Sequence, residues 1–346
     1  MERMFQEANR LVCRWDGETL IVEPWGENGL RVRSAMLREP EDTDYALLPQ
    51  ERAEAVITVG EERSEIRNGK IIGVMEKGKN SGAVLSFYNS EGKLLLAEAG
   101  EGGALNRRSR FFKPVIGGDY QLAVTFASDP EEKLYGMGQY QQDFLNIKYC
   151  NLELAQRNSQ VSVPFYVSSI GYGFLWNNPA VGRVTFGING TEWLAECTKE
   201  LDYLVIAGDT PAEIEETYMG LVGKAPMMPD YGMGFWQCKL RYQTQEQLLE
   251  VARKYKSLGL PLDVIVVDFF HWTQQGEYKF DEKYWPDVPG MCRELNEMGI
   301  RVMVSVWPTV DYRSENFQEM MEKGYLVRTE SGVRIAMTCF GQELFF

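Results

Sequence analysis

Side chains able to do chemistry gather at three places in the last third of the sequence. Asp268 ends the β-branched run Leu262–Val267 and is followed at once by Phe269, Phe270, His271 and Trp272. Gln237-Cys238-Lys239-Leu240-Arg241-Tyr242 closes a short apolar stretch that begins at Gly232. Trp307, Pro308, Thr309 and Asp311 follow the run Ile300–Val306. Aromatic faces pack against the C–H faces of sugar rings, and carboxylates accept hydrogen bonds from neighbouring hydroxyls. Together they suit a neutral, polyhydroxylated ligand.

Each residue also has a plainer reading. Asp268 could cap a turn, but an acid at the carboxyl end of a buried strand favours a site role. His271, Trp272, Trp307, Lys239 and Arg241 fit either ligand contact or ordinary loop packing. Trp236, within its strand, reads first as packing, and Trp285 as a loop anchor. Cys238 reads as a buried structural thiol, with nothing beside it to make it a nucleophile. His271 is the one histidine, which excludes His-rich metal sites and argues against a His-based triad. The six cysteines form no CxxC pair and there is no acidic calcium loop, so no metal or other cofactor is expected.

The elements that hold these residues come in two textures that meet near Pro226–Pro229. Before that point, short apolar runs such as Thr19–Val22, Ala83–Tyr88, Tyr120–Phe126, Tyr172–Trp176 and Tyr203–Ile206 alternate with turn residues. That rhythm predicts a β-sandwich. Thr210-Pro211 then caps a helix over 212–221. After Pro229 the pattern is strand, helix, strand, helix. Thr244-Gln-Glu-Gln247 is a capping box, Asp287 caps a second helix and Ser314 starts a third. Buried runs alternating with helices predict a parallel sheet, whose chemistry lies at the carboxyl ends of its strands. A closed eight-stranded barrel takes roughly 250 residues; about half that follows Pro226. No glycine-rich dinucleotide fingerprint or phosphate loop appears.

The 346 residues carry a net charge of −14, which repels nucleic acid and anionic membranes. No apolar run reaches the length of a membrane span, and the N-terminus lacks an apolar signal core. The cysteines read as reduced and mostly buried, and a cytoplasmic location is expected.

The segments Gly234-Phe-Trp-Gln-Cys-Lys-Leu-Arg-Tyr-Gln-Thr-Gln245 and Gly259-Leu-Pro-Leu-Asp-Val-Ile-Val-Val-Asp-Phe-Phe-His-Trp272, followed by Lys279-Phe-Asp281, resemble the first two barrel units of the family 31 glycoside hydrolases. Met303-Val-Ser-Val-Trp-Pro308 resembles their third strand, and Leu134–Gln139, Val163–Tyr166 and Gly171–Trp176 resemble their N-terminal sandwich. The likeness is nearest to the members called α-xylosidases, with α-glucosidases in the same family. It implies a mutarotase-like β-sandwich over 1–225 and an incomplete TIM barrel, strands one to three, over 226–346. It also implies retaining hydrolysis of terminal α-linked xylose or glucose by two carboxyl groups. The resemblance places both the nucleophile and the acid/base beyond Phe346. It matches Asp268 to the family's sugar-binding aspartate and Trp307 to the pocket wall, with His271, Trp272, Trp236, Lys239 and Arg241 as further candidate contacts. The expected partner is an α-linked oligosaccharide or glycoside, with a homo-oligomer compatible with the full-length protein. Two other readings stand beside this one: a non-catalytic carbohydrate-binding protein, and a lyase or aldolase using Lys239 as a Schiff-base amine.

Overall fold

The computed structural model describes residues 3–50, 54–104, 107–327 and 344–345. The chain divides into two compact units, Met1–Ala225 and Pro226–Phe346. Among the described residues no helix is long and apolar enough to cross a membrane.

The first unit is built from three antiparallel sheets. An eight-stranded sheet centres on the pair Gly29–Met36 and Glu200–Ala207. A five-stranded sheet contains Tyr120–Phe126 and Gly190–Thr198, and another contains Ile71–Lys77 and Ala83–Asn89. Side chains alternate across each strand, so every second residue reaches a common core. Phe174, Tyr203 and Tyr166 from the large sheet meet Phe126, Phe186 and Trp193 there. The Phe174–Trp193 ring centroids lie 5.0 Å apart and the Phe126–Tyr203 centroids 5.5 Å, within the range favoured by aromatic pairs. The expected strands over 120–126 and 172–176 form with those bounds.

Helix Pro211–Val222 covers the other face of the large sheet, with Ile214 and Leu221 packed on Leu204 and Ile206. Thr210 Oγ1 accepts from the Glu213 amide at 3.2 Å, the expected cap. Strand Glu200–Ala207 is therefore buried on both faces, including its charged Asp202. Arg31, wholly buried, meets Asp202 at 2.6 Å, and its guanidinium also reaches Asp44 and the Thr43 carbonyl. Asn177 donates to the same carboxylate at 2.7 Å. Burial pushes the Asp202 carboxyl up to about 6 against the pull of Arg31, so the pair stays ionised at neutral pH. Strand Gly29–Met36 breaks the apolar pattern with Arg31 and Arg33, and the sequence gives no hint that both are buried.

The second unit holds three parallel strands, β1 (Trp236–Lys239), β2 (Val264–Val267) and β3 (Arg301–Val304), in that spatial order. Helices α1 (Gln245–Ser257) and α2 (Val288–Glu297) cover one face, and α3 (Phe317–Glu322) follows. Leu248, Leu249 and Ala252 of α1 and Met291 and Leu295 of α2 pack on Ile265 and Val267. Thr244 and Asp287 cap their helices as the sequence predicts. The Gln247 side chain reaches back to the amide of Gln243, one residue before the cap.

The strands are shorter than expected. The β2 ladder begins at Val264, because the Asp263 carboxylate turns to accept the Phe235 amide at 3.0 Å. A 3₁₀ turn, Asp230–Met233, precedes β1 in place of an early strand, and α3 starts at Phe317, after Ser314. The opposite sheet face stays open: Trp236 and Met303 are exposed there beside Cys238. A parallel sheet normally needs cover on both faces. The cysteines differ from expectation as well. Cys13 is buried, Cys150 and Cys197 are half-buried and Cys238 and Cys292 are exposed, while Cys339 lies outside the described residues.

Removing Asp202 leaves a buried guanidinium with a weaker set of partners. Breaking a buried pair this way costs roughly 3–5 kcal/mol. Urea denaturation of Asp202→Ala against the parent chain should show a loss of that order. A loss below about 1 kcal/mol would mean that Asp44 and the Thr43 carbonyl suffice for Arg31.

Candidate functional site

The site grows from the register of the parallel sheet. Cys238 of β1 pairs with Val266 of β2, and Val266 with Met303 of β3, so these three share the open face. Lys239, Val267 and Val304 form the next row, on the helix-covered side. Asp268 comes one residue after Val267 and returns to the open face. Its Oδ2 lies 3.9 Å from the Cys238 thiol. Burial and the Asp268 charge push that thiol up from its ordinary value, so it is the protonated group of the pair. An exposed Cys238 against Asp268 corrects the reading of a buried structural thiol.

The chain turns sharply after Asp268. Phe269 and Phe270 have φ of 52° and 54°, two consecutive non-glycine residues in the left-handed region. Each costs about 1–2 kcal/mol, and such strain persists only where neighbours hold the loop. The Phe269 ring centroid lies 4.5 Å from that of Trp307, which follows β3. Arg241, from the loop after β1, donates through Nη1 to the Phe270 carbonyl at 3.2 Å. Its guanidinium carbon stands 5.6 Å from the Phe270 ring centroid. One edge of the sheet thus carries a carboxylate, a thiol, an aromatic pair and a guanidinium.

His271 and Trp272 turn the other way. Both are buried, and with Trp307, Gln275, Tyr278, Phe280, Val304 and Val306 they line a mainly apolar cavity of about 260 Å³. Gln275 bonds to Thr309, and Gly276, at φ 90°, has no room for a Cβ beside Val310. The His271 ring lies 4.7 Å from Phe280, and burial pushes its pKa down to about 4. It is a neutral group at pH 7.

Two of the expected contacts stand elsewhere. Trp236 pairs with Val264 at the amino end of the strands, and its Nε1 donates to the Tyr231 carbonyl at 2.8 Å. That is the opposite end of β1 from Asp268. Lys239 lies in the row facing the helices, with its ammonium 5.9 Å from the Tyr242 ring. It is exposed, so the dry setting that a Schiff-base amine needs is missing. Asp311 is buried and held below the usual carboxylate range by Arg313 at 2.7 Å, the wrong direction for a proton donor. Among the described residues no cluster of His, Cys, Asp and Glu could hold a metal ion. Period-two counting from Trp236 puts Cys238 on the same face of β1, but its place beside Asp268 comes from the register between β1 and β2. Phe269 and Phe270 carried no signal, because their left-handed backbone is set by tertiary contacts.

Comparison with known proteins follows the same lines. The glycosyl hydrolases family 31 TIM-barrel domain matches residues 225–344. An uncharacterized family 31 glucosidase of Pseudescherichia vulneris is 46% identical across the whole chain, which covers 68% of that protein. Alpha-xylosidase A of Aspergillus niger is 32% identical over 91% of this chain and 45% of its own length. The crystal structure of a soil-metagenome α-xylosidase complexed with xylose superposes with a TM-score of 0.89 at 50% identity. The match covers 99% of this chain and 52% of that one. The chain thus spans about half to two thirds of these relatives.

Burying His271 in its neutral form gives a pH signature. The unfolded chain takes up a proton near pH 6.5 and the folded chain only near 4. Stability from this residue is therefore complete above pH 6.5 and falls as the pH drops toward 4. The melting temperature of His271→Gln should lie below that of the parent at pH 7.5, and the gap should narrow by pH 5. A gap that stays constant would show that His271 is not held neutral.

Proposed function

The chain belongs to glycosyl hydrolase family 31, and from that premise we propose that it is the N-terminal part of a retaining α-glycosidase acting on terminal α-linked xylose or glucose. In this reading residues 1–225 form the family's mutarotase-like sandwich. Residues 226–346 supply the first three strand–helix units of its barrel. The two catalytic carboxyl groups come from sequence outside these 346 residues, and the chain contributes one wall of the sugar pocket.

Asp268 carries the assignment. It sits at the carboxyl end of the middle parallel strand, on the open sheet face, with the Phe269–Trp307 pair beside it. A carboxylate there accepts from sugar hydroxyls while an aromatic face covers the ring. The xylose-complexed relative at 50% identity supports a pentose in this pocket. The exposed Trp236–Met303 face has the character of a barrel interior awaiting its remaining strands. Trp272 supports the pocket from behind through its ring contacts with Phe269 and Phe270, and His271 packs on Trp272.

The test is Asp268→Ala in the full-length enzyme, assayed on aryl α-xyloside and aryl α-glucoside. A charged hydrogen bond is worth about 1.5–3 kcal/mol, so kcat/KM should fall at least about tenfold. Unchanged kinetics on both substrates would remove Asp268 from the pocket. Residues 1–346 alone should turn over neither substrate. Clean turnover by this chain, abolished by changing one of its own carboxylates, would overturn the placement of the catalytic pair.

A further inference from the structure

We propose that Arg241 is a positioning residue for the Asp268 subsite, clamping the loop after β2 rather than touching sugar itself. The inference rests on the reading of Asp268 as the sugar-binding carboxylate. Asp268 is followed directly by the left-handed pair Phe269 and Phe270. The direction in which its carboxylate points is therefore tied to a backbone that relaxes unless held from both sides. Phe269 is held by Trp307, from the loop after β3. Phe270 is held by Arg241, from the loop after β1.

Arg241 grips Phe270 twice, at the carbonyl through Nη1 and over the ring, with the guanidinium carbon 5.6 Å from its centroid. A planar, multiply donating group can stack and donate at once; an ammonium serves as a point charge and cannot reproduce both contacts. Phe270 is itself 45% exposed; its ring also meets those of Phe269 and Trp272, at 3.9 and 5.9 Å between centroids, while the hydrogen bond to its carbonyl comes from Arg241. The guanidinium, being committed to Phe270, acts on Asp268 through two peptide units. Loops after three different strands are joined in this way, and a shift in any of them moves the carboxylate.

A double-mutant cycle in the full-length enzyme separates clamping from direct contact. Glycine adopts φ near 54° without strain, so Phe270→Gly removes the need for a clamp along with the ring it grips. Arg241→Ala should lower kcat/KM on aryl α-xyloside about tenfold, and Arg241→Lys should lose nearly as much. In the Phe270→Gly background the same Arg241→Ala change should cost less than about twofold. Equal losses in both backgrounds, or full activity of Arg241→Lys, would overturn the clamp. If Arg241→Ala does not fold, the Arg241→Lys change is read in both backgrounds with the same criteria. Asp268→Ala, run alongside, separates the two ideas. If it lowers activity while Arg241→Ala does not, the clamp alone falls; if it leaves activity intact, the subsite reading falls and takes the clamp with it.

Discussion

Parallel pairing of Trp236–Lys239, Val264–Val267 and Arg301–Val304 is the constraint on which the candidate site depends. In-register parallel strands end at one edge, so the residues that follow each strand are brought together whatever their distance in sequence. Asp268 lies thirty positions after Cys238 in the chain, yet the parallel register puts it on the same face two residues beyond Val266, the partner of Cys238, with the two side chains 3.9 Å apart. The same register sends Lys239 to the helix side and leaves Trp236 at the far end. Helices α1 and α2 make the pairing possible by giving Ile265 and Val267 an apolar cover.

The two units solve burial differently. In the second, the helix-covered face is apolar and its open face carries Trp236, Cys238 and Met303. In the first, charges are taken into the interior and paired there. Arg31 meets Asp202, and Arg110 bridges Glu98 and Glu18. Lys148 meets Glu132, whose other oxygen accepts from Ser168 and Tyr172. Such groups contribute little net stability, but losing one partner strands the other in a dry interior. Only Arg31 and Asp202 lie on neighbouring strands, where a one-residue slip would separate them; Arg110 ties two sheets together and Lys148–Glu132 ties two loops.

At the carboxyl edge, backbone strain and side-chain chemistry are coupled. Two left-handed phenylalanines follow the carboxylate, one packed on an indole and one gripped by a guanidinium. Behind them His271 stays neutral in an apolar setting. On the open face of this edge charge lies on Asp268 and Arg241, with the Lys239 ammonium on the helix side, while His271 behind them carries none, an arrangement suited to an uncharged, hydroxyl-rich ligand.

Much of this was legible in the sequence. Short apolar runs between turn residues gave strands with the expected bounds, half-buried and alternating at Tyr120–Phe126 and buried throughout at Tyr172–Trp176. Thr210, Thr244 and Asp287 marked helix starts, because unpaired amides at a helix end need a local acceptor. Asp268 stood out as an acid closing a β-branched run. The tertiary structure alone decided the rest. Strand Gly29–Met36 was hidden because its buried arginines look like surface residues until Asp202, far along the chain, is brought beside them. Cys238 looked inert until the neighbouring strand supplied Asp268. His271 and Trp272 look the same in sequence whether they face ligand or packing; it is the fold that buries them both along a mainly apolar cavity shared with Trp307. Local sequence sets period and caps, whereas the partners of a buried charge and the direction of a loop are non-local properties that folding alone supplies.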